Sequence, residues 1–167
     1  DGEKRGIFMD KNAIRSYAIW ARNELLKRVI FKAAMYEIEK NKKMDSDLSC
    51  CNGEILKSKD IKKRKILIER INSYGFDTVM DEIAYGWFNR FTVLRFMEVN
   101  GYLPSKVRVF TDENNRFNPQ VLNQPLELEI PGLDLLEVIE YEKKSDREGL
   151  FGYIIKTQCN HLNTILP

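Results

Sequence analysis

The segment between Gly75 and Gly101 constrains this chain most, because it is apolar on more than one face of any helix it forms. Ile83, Trp87, Phe88, Phe91, Val93, Leu94, Phe96 and Met97 spread round the helical circumference. A helix apolar nearly all round is a buried one, so residues 78–100 are read as the central helix of a helical bundle. Gly75 and Gly101 flank it, as glycines just past a helix C-terminus do. Thr78 and Asp81 have the spacing of a capping box, with Asp a shorter version of the usual Glu.

The remaining segments supply helices to surround it. From residue 11 to residue 40 there is neither Gly nor Pro, and Asp10 is placed to cap the first turn. Ile14, Tyr17, Ala18, Ala21, Leu25, Val29, Ala33 and Tyr36 recur three or four apart, the spacing of one helix face. Tyr17 and Trp20 are accordingly core candidates. Residues 41–57 form a polar connection with a turn signal at Asn52-Gly53. A second helix is expected over 58–74, with Ser58 as cap and Ile61, Ile66, Leu67 and Ile71 as a modest apolar stripe. Four prolines between 104 and 131 exclude a long helix there. Within that irregular segment, 101–132, residues 106–110 (KVRVF) alternate like a short strand but find no obvious second strand in the chain, so they are either a short strand or simply extended, and Asn118-Pro119 is placed to open a short helical turn. Two more helices follow, over 133–144 and from a cap at Asp146 to Leu166. Gly149 and Gly152 inside the last permit close helix packing. The expected fold is mainly α, about five helices in one domain over 9–167, with residues 1–8 as a loose lead-in.

Charge is unevenly distributed. Residues 1–75 carry 18 Lys and Arg against 11 Asp and Glu, a net of +7, while 76–167 carry 9 against 14, a net of −5. A basic half suits a polyanionic partner or an internal match with the acidic half. The densest cluster lies in the second helix, where Lys59, Lys62, Lys63, Arg64 and Lys65 are candidate contacts to DNA phosphates, since such contacts release counterions without reading bases. No aromatic residue interrupts it, so base stacking is not indicated. In the central helix, Arg90 and Arg95 sit among apolar residues, and a buried guanidinium needs partners. Glu98, three residues after Arg95, lies within reach along the helix. Asn89, Arg90, Arg95 and Glu98 are therefore candidates for a structural polar network.

The catalogue of catalytic chemistry is short. Three cysteines, two of them adjacent, and one histidine give neither a disulfide framework nor zinc-ligand spacing. Free thiols suit a reducing, cytoplasmic compartment, and no apolar run is long enough to span a membrane. No metal site is expected. No Gly-rich phosphate loop follows a strand, and no Ser/His/Asp set stands out.

Residues Trp87-Phe88-Asn89-Arg90-Phe91 and Leu94-Arg95-Phe96-Met97-Glu98-Val99-Asn100-Gly101-Tyr102-Leu103-Pro104 resemble a hallmark of one family. These are the large adenine-N6 DNA methyltransferases of BREX and phage-growth-limitation defence systems. Met9–Ile14, Arg108–Asp112 and Thr157–Asn160 extend the resemblance. It implies a parent enzyme that uses S-adenosylmethionine to methylate adenine in double-stranded DNA, with the base flipped out of the stack. The donor-binding motif and the Asn-Pro-Pro-aromatic loop of that family are expected downstream of this chain. Asn118-Pro119-Gln120 lacks the second proline and the aromatic residue, so no catalytic or cofactor-binding residue is carried over. The resemblance implies a helical N-terminal segment, inactive alone and auxiliary to the catalytic domain, with possible partners in DNA and other defence-system proteins. The alternative is an assembly module that docks another subunit without touching DNA.

Overall fold

The computed structural model describes residues 10–165; the lead-in at 1–8, Met9 and the expected helix end at Leu166 lie outside them. The fold is mainly α, with α1 (Lys11–Met35), α2 (Ser58–Tyr74), α3 (Phe76–Val99), α4 (Leu135–Lys143) and α5 (Arg147–Ile165). A hairpin of β1 (Cys50–Cys51) and β2 (Glu54–Ile55) and two 3-10 turns, Gln120–Leu122 and Pro125–Glu127, complete it. Two compact units divide the chain between Asn89 and Arg90, inside α3. The central helix is thus the element both units share.

In the first unit, the Asp10 carboxylate accepts from the N–H groups of Asn12 (2.9 Å) and Ala13 (3.1 Å), satisfying two orphan donors of α1. The helix ends five residues before the expected 40. Glu37 adopts φ +54°, and the N–H groups of Glu37 and Ile38 donate back to Ala34 and Ala33 at 2.9 and 3.1 Å. This is a Schellman reversal; it sends Ile38 into the core beside Ala33, Ile68, Ile71, Val79 and Met80. Leu26 and Val29 of α1 pack against the same cluster. Tyr17 and Trp20 do not join it: both are exposed, because the covered side of α1 is the one bearing Leu26, Val29 and Ala33.

The polar connection holds the sheet. Asn52 and Gly53 have φ of +49° and +83°, as a two-residue hairpin turn of primed type requires, and Cys50 pairs with Ile55 and Cys51 with Glu54. Of the two readings of 106–110, a short strand or simply extended chain, the strand does not form. The N–H groups of Val109 and Phe110 are taken by the Glu98 carboxylate and not by a neighbouring strand. Nearby there is only an isolated antiparallel bridge, Thr111 to Phe117.

A single residue joins α2 to α3. Gly75, at φ +88° and ψ 148°, donates to the Ile71 carbonyl at 2.8 Å and accepts from Val79 N–H at 3.2 Å. That backbone region is essentially open only to glycine. Because α3 already begins at Phe76, Thr78 lies within its first turn and the expected capping box does not form; Asp81 pairs with Arg22 instead. Likewise Ser58 is the first helical residue of α2, and Lys57 holds the cap position without a side-chain bond. Nor is α3 covered all round. Val79, Met80 and Ala84 are buried in the first unit and Leu94 and Glu98 in the second, while Tyr85, Val93, Phe96 and Val99 are exposed.

In the second unit α3 ends in another Schellman turn, with Gly101 at φ +68° and Tyr102 N–H donating to the Met97 carbonyl at 2.8 Å. The core gathers Leu94, Val109, Val121, Val138, Leu150 and Ile154. The Phe110 ring lies edge-on to both Phe91 (6.0 Å) and Phe151 (6.5 Å), a favoured aromatic geometry. Asp134 caps α4 and Asp146 accepts from Gly149 N–H at the start of α5. The proline-led turn is a 3-10 turn that starts one residue later than expected, at Gln120. At Gly149 an added Cβ would crowd the Asp146 carboxylate and the Tyr141 ring, and one of these side chains would have to shift. Gly152 has open space and no such neighbour.

Candidate nucleic-acid interface

The basic cluster of α2 separates into two groups. Lys59, Lys62 and Lys63 are exposed, and their i, i+3, i+4 spacing sets them side by side on one helix face. Ile66 and Arg70 continue that face, with Arg70 2.7 Å from Glu82; from Lys59 to Arg70 the row runs about 16 Å along the helix. Lys65 stands at its flank, 3.6 Å from Asp47. Arg70 was not singled out from sequence, although its place four residues after Ile66 is the signal that marks it.

Arg64 belongs elsewhere. It is only 3% exposed; its Nε donates to the Tyr36 carbonyl at 2.8 Å and its Nη1 to the Asp45 carbonyl. The Cys51 thiol donates to the same Tyr36 oxygen at 3.6 Å, and burial pushes that thiol up despite the neighbouring guanidinium. Arg64 therefore ties the α1 terminus and the following connection to α2. The helical repeat explains the split, since position 64 is four residues before buried Ile68 and seven before buried Ile71.

The polar residues of α3 also separate. Asn89 is exposed, and Arg90 is half-buried with its charge acting on Cys159. Arg95 and Glu98 form an ion pair in which the Glu98 side chain is fully buried. Glu98 Oε2 accepts from Val109 N–H (2.7 Å) and Phe110 N–H (2.6 Å), and Oε1 from the Thr111 hydroxyl (2.6 Å). Thr111 Oγ1 in turn accepts from Arg95 (2.9 Å) and Arg108 (3.2 Å). Burial alone would raise the Glu98 carboxyl; the bonds from Thr111, Phe110, Val109 and Arg95 outweigh it and hold it below the ordinary carboxylate value. Thr111 and Arg108 were missed from sequence. The turn that brings them round was visible as Asp112-Glu113-Asn114-Asn115, where Asp112 Oδ1 accepts from Asn114 N–H (2.9 Å) and Arg116 N–H (3.0 Å). This network fastens a loop to a helix and has no free group aimed at a reactant.

A groove of about 830 Å³ lies between α1 and the first half of α3. Its carboxylates Asp77, Asp81 and Glu82 are paired with Lys40, Arg22 and Arg70, which leaves no uncompensated acidic set. Among the described residues no group of His, Cys, Asp and Glu is arranged to hold a metal, and no helix is long and apolar enough to cross a membrane. The strands are two residues each, and among the described residues no Gly-rich loop leads from strand to helix. All three cysteines are free, Cys51 and Cys159 buried and Cys50 exposed.

No family model matches the chain, and no solved structure matches it. Two curated proteins do. It is 31% identical over 183 residues to the adenine-specific methyltransferase PglX of Lacticaseibacillus casei (strain Zhang), covering 95% of this chain and 15% of that protein. It is 26% identical over 171 residues to the adenine-specific methyltransferase BrxX of Escherichia coli O9:H4 (strain HS), covering 95% of this chain and 14% of that one. The chain thus spans about one-seventh of the relatives' length. Through nearly all of its own residues, it matches the adenine-specific methyltransferases represented by PglX and BrxX.

Proposed function

We propose that this chain is a non-catalytic helical segment of an S-adenosylmethionine-dependent adenine-N6 DNA methyltransferase of a phage-defence system. In this reading it precedes the catalytic domain, packs against it, and lends the lysine face of α2 to the DNA backbone. The observation that carries the reading is the match of 95% of the chain to adenine-specific methyltransferases. The donor site and the methyl-transfer machinery belong to other parts of the polypeptide. Lys59, Lys62 and Lys63 on one exposed face, with Lys65 at its flank, contribute charge and orientation: exposed lysine ammonium groups suit phosphates and carry no base reading.

Duplex binding followed by gel shift across a salt series tests the DNA role. Four phosphate contacts predict a log–log slope near −3.6, so affinity should fall roughly 100-fold between 50 and 200 mM salt. Replacing Lys59, Lys62, Lys63 and Lys65 with Glu should abolish the shift. Absence of binding at low salt would sink the DNA role. The second reading is an assembly module that docks another defence-system subunit without touching DNA, a role that the exposed aromatic residues of α1 would serve equally.

A further inference from the structure

The α1 helix carries two apolar faces, and only one is covered. Leu26, Val29 and Ala33 pack into the first unit's core. Tyr17, Trp20, Phe31 and Met35 remain 63%, 60%, 67% and 47% exposed. With Glu24 and Lys27 between them, these residues follow one another at steps of three or four, and so lie along one side of the helix as two apolar pairs, Tyr17 with Trp20 and Phe31 with Met35. The stripe spans about 27 Å of helix. The Tyr17 and Trp20 rings already rest together, 5.7 Å apart. Glu24, midway, is paired within the helix by Lys27 (3.7 Å) and Arg28 (3.3 Å), so covering the stripe strands no lone carboxylate. Exposed apolar surface rich in Trp and Tyr, here two patches flanking a central ion pair, marks a protein contact.

We infer that this stripe is the surface on which the catalytic part of the same, longer polypeptide docks. The inference rests on the reading above, that the chain is one part of a larger methyltransferase. Three observations select this occupant. The chain accounts for 15% and 14% of its relatives, so in such proteins most of the polypeptide is covalently attached to α1. Tethering supplies a partner surface at an effective concentration in the millimolar range. Next, α1 bears Lys11, Arg15, Arg22, Lys27, Arg28 and Lys32 against the single carboxylate Glu24. A second copy of α1 would set like charges against each other, whereas an apolar surface rimmed by carboxylates complements it. Finally, duplex DNA keeps its bases stacked and offers little apolar surface for a helix-long aromatic stripe.

Hydroxyl-radical footprinting of the unmodified full-length protein tests this. Tyr17, Trp20 and Phe31 should oxidise at least roughly tenfold more slowly than their intrinsic reactivities predict, as for a contact open no more than about 10% of the time. Tyr74 of α2, 67% exposed, serves as the reference within the same molecule. Phe31→Glu, at an exposed position, should restore oxidation of Tyr17 without unfolding the unit. Protection should be unchanged on dilution. Oxidation of the stripe at the Tyr74 rate overturns the inference, and so does protection lost on dilution, which would mark a second copy. Methyl transfer to adenine in duplex DNA is read separately on the same protein. Activity with an unprotected stripe overturns the docking surface alone. Protection without activity overturns the methyltransferase reading and leaves the stripe a covered interface.

Discussion

Glu98→Ala is expected to destabilise the second unit by roughly 3–5 kcal/mol, seen as a shifted urea or thermal transition. Glu98 is the common acceptor for two backbone N–H groups, the Thr111 hydroxyl and Arg95. Removing it leaves these donors facing a space closed to water, and each unpaired buried group costs about 1–3 kcal/mol. Arg95 is partly exposed and recovers some hydration, which keeps the loss below the full sum. Glu98→Gln should cost less, since its carbonyl still accepts, although its amide then points a donor at donors. Acid gives an independent readout. The Glu98 carboxyl is held below its ordinary value in the folded chain. It therefore contributes stability that is fully present above the unfolded-state value and is lost as pH falls through the lower folded one. The parent should lose stability in acid more steeply than Glu98→Gln. Equal slopes, or a Glu98→Ala chain as stable as its parent, would remove Glu98 as the anchor of the loop.

Arg64→Met is expected to cost roughly 2–4 kcal/mol, while Lys62→Met on the same helix stays within about 0.5 kcal/mol. The difference is one of place, since both lose a cation. The Arg64 guanidinium bridges the Tyr36 and Asp45 carbonyls from inside the unit, whereas Lys62 is exposed. Met fills much of the volume but donates nothing; the Asp45 carbonyl loses the guanidinium donor and the Tyr36 carbonyl keeps only the weak Cys51 thiol. Arg64→Lys should rescue little, because one ammonium cannot reproduce the planar fork that meets two acceptors at once. Chemical denaturation of the three variants decides it. An Arg64→Met chain as stable as Lys62→Met would return Arg64 to the surface cluster.

Most of the helices were legible because their ends carry local chemistry. Asp10, Gly75, Gly101 and Asp146 each sit at or beside a terminus for reasons contained within a few residues; the Asp134 cap, inside the helix expected from 133, was not singled out. The errors arose where a distant group intervened. Residues 106–110 alternate like a strand, but Glu98 claims the N–H groups a strand would offer. Thr78 and Asp81 have capping spacing, but the helix starts earlier, directly after Gly75, and Asp81 turns to Arg22. The lysine cluster was readable as a cluster; that Arg64 leaves it follows from the phase of the helix relative to Ile68 and Ile71.

The stretch between Gly75 and Gly101 shows where local reading ends. Its residues alone established a long helix and the resemblance to one family, because helix boundaries and sequence motifs are local properties. Which of its apolar residues are covered, and which apolar stripe of α1 meets the core, was settled only by tertiary packing. A helix with apolar groups on two sides has no internal reason to prefer either, so the choice falls to the elements that fold against it. For α1 those are Ile68 and Ile71 of α2 and Val79 and Met80 of α3. Tyr17, Trp20, Phe31 and Met35 are left to the water, on the face assigned above to the rest of the polypeptide.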